Sequence, residues 1–352
     1  MYKKELNILN KKNRLRKRKI YKNIIDLASN DYLCLAENKE IRQKAFKKAM
    51  LLPSHSAKAS QLVNGYTEIH KEFEEYLCAL NNFEDGVIVG SGFLANLALF
   101  ELVRKKDLAL IDEEYHASGI VGSKLTQGEV RFFKHNDLED LKEKSKDYKN
   151  FNRVFVFTEG IFSMMGDKVK KEITDYAQQI GTLIIDEAHS VGVCGERLLG
   201  ITEEYNLNPQ KTIKMGTLGK ALGSYGAYIL ANSEIIEFLI NKAKSIIYTT
   251  ALNPVDVLLA HFGVEYIQNN LKQIKTKIEE KKLIFNTSSL IKIIKAKNNK
   301  EVIQKQQELI NRGILIGAIR PPTVKTPIFR IILRNCIENE EIKKVIKFLE
   351  NK

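Results

Sequence analysis

Only four cysteines occur in the 352 residues, Cys34, Cys78, Cys194 and Cys336, and no two of them form a CxxC pair. So sparse and scattered a set argues against a disulfide framework and against a metal site, and it suits a reducing cytoplasm. The N-terminal residues carry charge without the apolar core that a secretory signal needs. No apolar stretch approaches the roughly 20 residues required to cross a bilayer. Neither zinc-finger spacing nor an aromatic RNA-binding motif accompanies the basic residues. No repeat of fixed period is apparent. These absences lead us to expect a cytoplasmic protein with no metal, no membrane partner and no nucleic-acid partner.

What is present is an ordinary globular balance of 44% hydrophobic and 28% charged residues, which excludes collagen-like and bulk-disordered classes. A chain of this length buries a sizeable core and is expected to divide into two domains. The formal net charge of +13 suits an anionic partner or substrate. Much of the excess is local. "KKNRLRKRKIYKN", residues 11–23, is nearly all basic, and residues 1–27 read as a solvated arm or one that meets an acidic cofactor tail. A nucleic-acid-binding protein built on this arm is the rival of another class, and it would bind in a steeply salt-dependent way with no chromophore.

Short apolar runs alternate with amphipathic stretches. "TEIHKEFEEYLCAL" (67–80) predicts a helix, with Thr67 as N-cap and Ile69, Phe73, Tyr76, Leu77 and Leu80 on one stripe. "DGVIVGSG" (85–92), "DLALID" (107–112), "RVFVFTEG" (153–160), "TLIIDEAH" (182–189) and "TIKMGT" (212–217) predict buried strands separated by helix or turn. This order implies a largely parallel, helix-covered sheet over residues 28–250, with ligands at the carboxyl ends of its strands. After about residue 250 the pattern changes to a lysine-rich helical segment from Pro254 to Phe285, then three strands and two helices. Residues 251–352 therefore predict a smaller α+β domain.

Three motifs fall at the predicted strand ends. Asp186 closes an apolar strand with His189 three residues on, and a carboxylate there is costly unless it meets a cation or a hydrogen-bond donor. "MGTLGKALGS" (215–224) puts Lys220 in a tight turn after the next strand. "VGSGFLAN" (89–96) sets glycines before a helix N-terminus, where free amides and the helix dipole favour a phosphate. The Walker A pattern fails, because Lys214 stands where its first glycine belongs and Ala221 replaces its Ser/Thr. The dinucleotide fingerprint is matched only loosely. A phosphate cradle, a strand-end aspartate, His116, His189 and a turn-held lysine together make the set that pyridoxal 5'-phosphate requires.

On these residues the chain resembles the α-oxoamine synthase family of fold-type-I pyridoxal-phosphate enzymes. The likeness runs collinearly from "ASNDYLCLA" (28–36) through "NGYTEIHKEFE", "SGFLAN", "YHAS", "KHND", "TEGIFSMMGD" and "IIDEAHSVGVCG" to "GTLGKALGSYGAY", "IYTT" and "AIRPPTV" (318–324). The resemblance implies that Lys220 is the Schiff-base lysine, that Asp186 pairs with the pyridine nitrogen, and that His189 meets the phenolic oxygen. It implies that His116 stacks on the ring, while Gly92, Phe93 and Thr217 hold the phosphate. Ser163 would touch the cofactor, and Thr250 would reach the phosphate of the neighbouring subunit in a homodimer. Asn30 and Arg330 would bind the substrate carboxylate, with Thr323 and Arg16 along the acyl channel. The implied activity is that of an acyltransferase joining an amino acid to an acyl thioester with loss of CO2. "AIRPPTV" points to the member that uses L-alanine with pimeloyl-CoA or pimeloyl-acyl carrier protein, in biotin biosynthesis. Sister reactions, glycine with acetyl-CoA or serine with a long acyl-CoA, would keep every cofactor residue. The chain departs from the family pattern at Ala57, Lys58 and Ala59, where a glycine-rich run is usual.

Overall fold

The computed structural model of the chain describes residues 1–351. Its strands are, in chain order, β1 (Ile25–Leu27), β2 (Asp85–Val89), β3 (Leu108–Asp112), β4 (Glu129–Phe133), β5 (Val154–Glu159) and β6 (Thr182–Asp186). They continue with β7 (Thr212–Thr217), β8 (Ala227–Ala231), β9 (Ile291–Lys295), β10 (Ile314–Ile319) and β11 (Ile328–Ile332). The chain packs as two compact units. One holds Leu33–Ser163 and Asp167–Thr276; the other holds Met1–Tyr32, Met164–Gly166 and the chain from Lys277 on.

In the larger unit seven strands form one sheet in the order β2-β8-β7-β6-β5-β3-β4. The pairs β3–β4, β3–β5, β5–β6 and β6–β7 are parallel, and β8 alone runs against its neighbours β7 and β2. β3, β5 and β8 are buried along their whole length, as unbroken apolar runs demand when both faces of a sheet are covered. Helix Gly92–Phe100 lays Ala95, Ala98, Leu99 and Phe100 into this core. The Phe100 ring stacks on Phe157 of β5 with centroids 4.1 Å apart, an arrangement that adds about 0.5–1.5 kcal/mol beyond burial. β4 and β8 were not anticipated. The apolar run of β8 follows the lysine turn so closely that it reads as part of it. β4 carries two charged residues and is buried only at Phe133.

Register sets the site. Glu159 at the end of β5 pairs with Asp186 at the end of β6, and Asp186 pairs with Met215 of β7, two residues before Thr217. Three adjacent parallel strands thus deliver polar residues to one carboxyl edge, the place where open α/β sheets bind ligands.

The smaller unit carries a four-stranded sheet, β1-β10-β11-β9, in which β1 lies parallel to β10 and the other pairs are antiparallel. Helices Asn299–Asn311 and Asn339–Glu350 complete its α+β character. β1 is only three residues long, too short to show a period in the sequence. Helix Lys3–Lys11 in the basic arm buries none of its residues.

Two expectations change. The segment from Pro254 to Phe285 is two helices, Pro254–Asn269 and Leu271–Phe285, broken where the Asn270 side chain donates to the Tyr266 carbonyl at 2.9 Å. The division expected near residue 250 falls near 276, because helix Pro254–Asn269 packs against helices Lys39–Ala49 and Glu68–Asn81 of the larger unit.

Candidate active site

Asp186 is buried at the end of β6. Its Oδ1 accepts from the Ala188 amide at 2.9 Å and its Oδ2 from Asn96 Nδ2 at 3.0 Å. Two donors fix the plane of the carboxylate and leave lone pairs on both oxygens for a further donor, such as a protonated ring nitrogen. Three residues on, the buried His189 presents Nε2 to the Nζ of Lys220 at 2.9 Å.

The lysine turn is braced by backbone hydrogen bonds from Leu218 to Gly226, from Ser224 to Leu218 and from Gly223 to Lys220. Its glycine requirement lies at Gly223 and Gly226 and not at Gly219. Gly223 takes φ +63°, and a Cβ there would collide with the backbone of Leu35 and Ala36. The turn therefore holds Lys220 against His189 and does not leave it to solvent.

His116 caps helix Ala117–Ser123. Its Nδ1 accepts from the Ser118 amide at 3.2 Å and pairs with the Ser118 hydroxyl at 2.7 Å. A backbone amide only donates, so the ring proton belongs on Nε2. The imidazole keeps accessible surface, yet partial burial holds its pKa below the usual range; Asp186 opposes that shift and Lys220 reinforces it. A neutral ring is therefore available for stacking.

Gly92 and Phe93 open their helix, so their amides lack partners within it, and Ser91 Oγ takes the Leu94 amide at 3.3 Å. A Cβ on Gly92 would lie 2.8 Å from Thr217 Cγ2. The Thr217 hydroxyl oxygen is buried without a hydrogen-bond partner among the described residues. An orphaned hydroxyl beside two helix-start amides is the donor set of an anion cradle. With the carboxylate of Asp186 and the amine of Lys220 in the same unit, these residues fit pyridoxal phosphate. Ser163 is buried and its amide donates to Glu159 Oε2 at 3.1 Å. The Phe93 side chain is exposed. Thr250 is exposed as well and bridges to Ser60.

In the smaller unit, the buried Arg330 on β11 donates from Nη1 to Asn30 Oδ1 at 3.0 Å. Arg16 donates from Nη2 to Thr323 Oγ1 at 3.0 Å. Both pairs named from the sequence are thus in contact, although their members lie about 300 residues apart.

Two residues escaped the sequence reading. Glu159 is buried beside Asp186, and its Oε1 has no hydrogen-bond partner among the described residues. Burial, then the nearby Asp186 charge, drives its pKa well above the ordinary 4.5. The signal was available, since Glu159 ends an apolar strand as Asp186 does. Asn96 is the other, the one amide in the otherwise apolar helix "GFLANLALF".

Comparison with known proteins adds four findings. The profile of the aminotransferase class I and II family matches residues 22–349. An 8-amino-7-oxononanoate synthase of Helicobacter pylori strain 26695 is 41% identical over 362 residues, spanning 100% of this chain and 97% of the relative. The solved 8-amino-7-oxononanoate synthase of Francisella tularensis superposes with a TM-score of 0.79 at 27% identity, covering 93% of this chain and 96% of that one. A serine palmitoyltransferase variant from S. paucimobilis, solved with a bound PLP–myriocin aldimine, reaches a TM-score of 0.85 at 22% identity over 93% of this chain and 86% of that one, a likeness of fold.

Proposed function

Because the chain belongs to the aminotransferase class I and II family, we propose that it condenses L-alanine with a pimeloyl thioester, releasing 8-amino-7-oxononanoate, CO2 and free thiol. The observation that carries this reading is the Lys220–His189 contact in the same unit as Asp186 and the Thr217 cradle. Full-length similarity to 8-amino-7-oxononanoate synthases supports the choice of substrates. Pyridoxal phosphate, when bound, supplies an electron sink that stabilises negative charge at the alanine Cα.

The chain's own residues divide the remaining work. Lys220 would hold the cofactor through its amine, and the same amine is the group placed to take the proton from the alanine Cα. Asp186 keeps the pyridine nitrogen protonated, and His189 orients Lys220 and the phenolic oxygen. His116 covers one ring face as a neutral imidazole. The amides of Gly92 and Phe93, with the Thr217 hydroxyl, hold the phosphate, and Ser163 touches the cofactor. Arg330 and Asn30 grip the alanine carboxylate, a task suited to a planar guanidinium. Thr323 and Arg16 line the acyl path. A new bond joins the alanine Cα to the thioester carbonyl carbon, and the C–S bond breaks with the electron pair leaving on the thiolate. The former carboxylate departs as CO2, and Cα then regains a proton, for which the Lys220 amine is the donor. The working form is a cytoplasmic homodimer in which Thr250 serves the neighbouring copy's phosphate.

The test is a substrate grid: alanine, glycine or serine against pimeloyl, acetyl and palmitoyl thioesters, followed by thiol release. Turnover confined to L-alanine with pimeloyl-CoA or pimeloyl-acyl carrier protein is expected. Turnover with glycine or serine in its place would retain the cofactor chemistry and overturn the substrate.

A further inference from the structure

Asn96 sits at the centre of a polar cluster inside the larger unit and is 1% exposed. Its Nδ2 donates to Asp186 Oδ2 at 3.0 Å and to Ser118 Oγ at 2.9 Å, and its Oδ1 accepts from the Tyr115 hydroxyl at 2.6 Å. The Ser118 hydroxyl, accepting from Asn96, has its own proton left for His116 Nδ1 at 2.7 Å. Every group in the chain from Tyr115 to His116 has one consistent direction of donation. Turning the amide over would set Oδ1 against the Asp186 carboxylate, so only this orientation works with an ionised Asp186.

We propose that Asn96 is a positioning residue that fixes Asp186 and His116 relative to one another, so that the partner of the cofactor ring nitrogen and the imidazole over the ring face are set by a single amide. The proposal rests on the cofactor reading given above and extends it to a residue with no contact role of its own. Two features of the fold support it. Gly92 and Asn96 are four residues apart and share one face of a helix, so the element that presents amides to the phosphate also aims the amide at Asp186. Nothing else in an apolar helix calls for a buried amide, which is costly unless all its bonding capacity is used.

The test uses the holoenzyme and two readouts: the dissociation constant for pyridoxal phosphate and the pH midpoint of the bound cofactor's absorbance. Asn96→Ala is expected to weaken cofactor binding about 10–100-fold, the usual effect of losing a residue that orients a ligand-holding group, and to move the pH midpoint. Ser118→Ala cuts only the His116 branch, so it is expected to weaken binding several-fold and leave the midpoint in place. The double variant is expected to be no worse than Asn96→Ala within about twofold, because both cut one chain of bonds. Asn96→Leu, which keeps the approximate shape and removes both N–H groups without adding a charge beside Asp186, replaces Asn96→Ala should that variant fail to fold. An unmoved midpoint in the Asn96 variant, or fully additive losses in the double variant, overturns the proposal alone. A wild-type chain that takes up no pyridoxal phosphate overturns the cofactor reading and this proposal with it.

Discussion

The Nζ of Lys220 lies 2.9 Å from the Nε2 of His189, so the amine assigned to proton transfer is held by a buried imidazole from the turn after the neighbouring strand. Removing the amine and removing its support are expected to differ. Lys220→Ala is expected to abolish turnover, a loss of at least the roughly 10²–10⁴-fold that positioned proton transfer supplies. His189→Ala leaves the amine but removes the 2.9 Å contact that orients it, and a misplaced reacting group costs about 10²-fold. Steady-state kinetics on the two variants checks the order; equal residual rates would contradict it.

The Gly92–Thr217 approach gives a second prediction. A methyl group on Gly92 would lie 2.8 Å from Thr217 Cγ2, so Gly92→Ala must turn Thr217 away from its present rotamer. An off-rotamer side chain costs about 0.5–1.5 kcal/mol, and the displaced side chain carries the hydroxyl assigned to the phosphate. Cofactor affinity is expected to fall several-fold, read by dialysis against graded pyridoxal phosphate, with the melting temperature of the cofactor-free protein nearly unchanged.

His135 supplies a pH prediction. Burial lowers its pKa, but hydrogen bonds to Asp112 at 3.0 Å and Asp167 at 2.8 Å outweigh this and raise it to about 10. The folded pKa exceeds the unfolded value, so the imidazolium's contribution to stability is full below the ordinary 6.5 and is lost as pH rises through about 10. His135→Gln is therefore expected to melt well below wild type at pH 6, with the gap closing toward pH 10. A gap that widened with pH would contradict the assignment.

Glu159 makes the opposite case. Its folded pKa lies above the ordinary 4.5, so the folded state binds the extra proton and stability falls as pH rises above that value. Glu159→Gln removes the titration while keeping an oxygen for the Ser163 amide. The variant is expected to be at least as stable as wild type at pH 7 and to lose that advantage toward pH 4. Thermal unfolding across this range decides it.

Much of this was legible in the sequence. β5 and β6 announce themselves as apolar runs and β7 as a shorter one interrupted by the buried Lys214, and each ends in the polar residue that the register brings to the carboxyl edge. Asp186, His189 and Lys220 could be singled out only as a set with the glycine turn before helix Gly92–Phe100, and their separate roles came through the resemblance. Asn96 and Glu159 could not be assigned a role, since what they do depends on which buried group each one meets, and that is fixed by register and helix packing. The Arg330–Asn30 and Arg16–Thr323 contacts were named through resemblance alone, for nothing in local spacing joins residues so far apart. β1 and β4 escaped for a different reason: a three-residue strand and a half-exposed one carry too little apolar pattern to read.

The account stands or falls on Lys220 as the amine that carries the cofactor. The most direct measurement is borohydride reduction of the protein loaded with pyridoxal phosphate, which locks the cofactor onto the amine that holds it, followed by peptide mass mapping. One modified peptide bearing Lys220 is the expected result. A label on another lysine, or no label on a protein that binds the cofactor, would contradict the assignment.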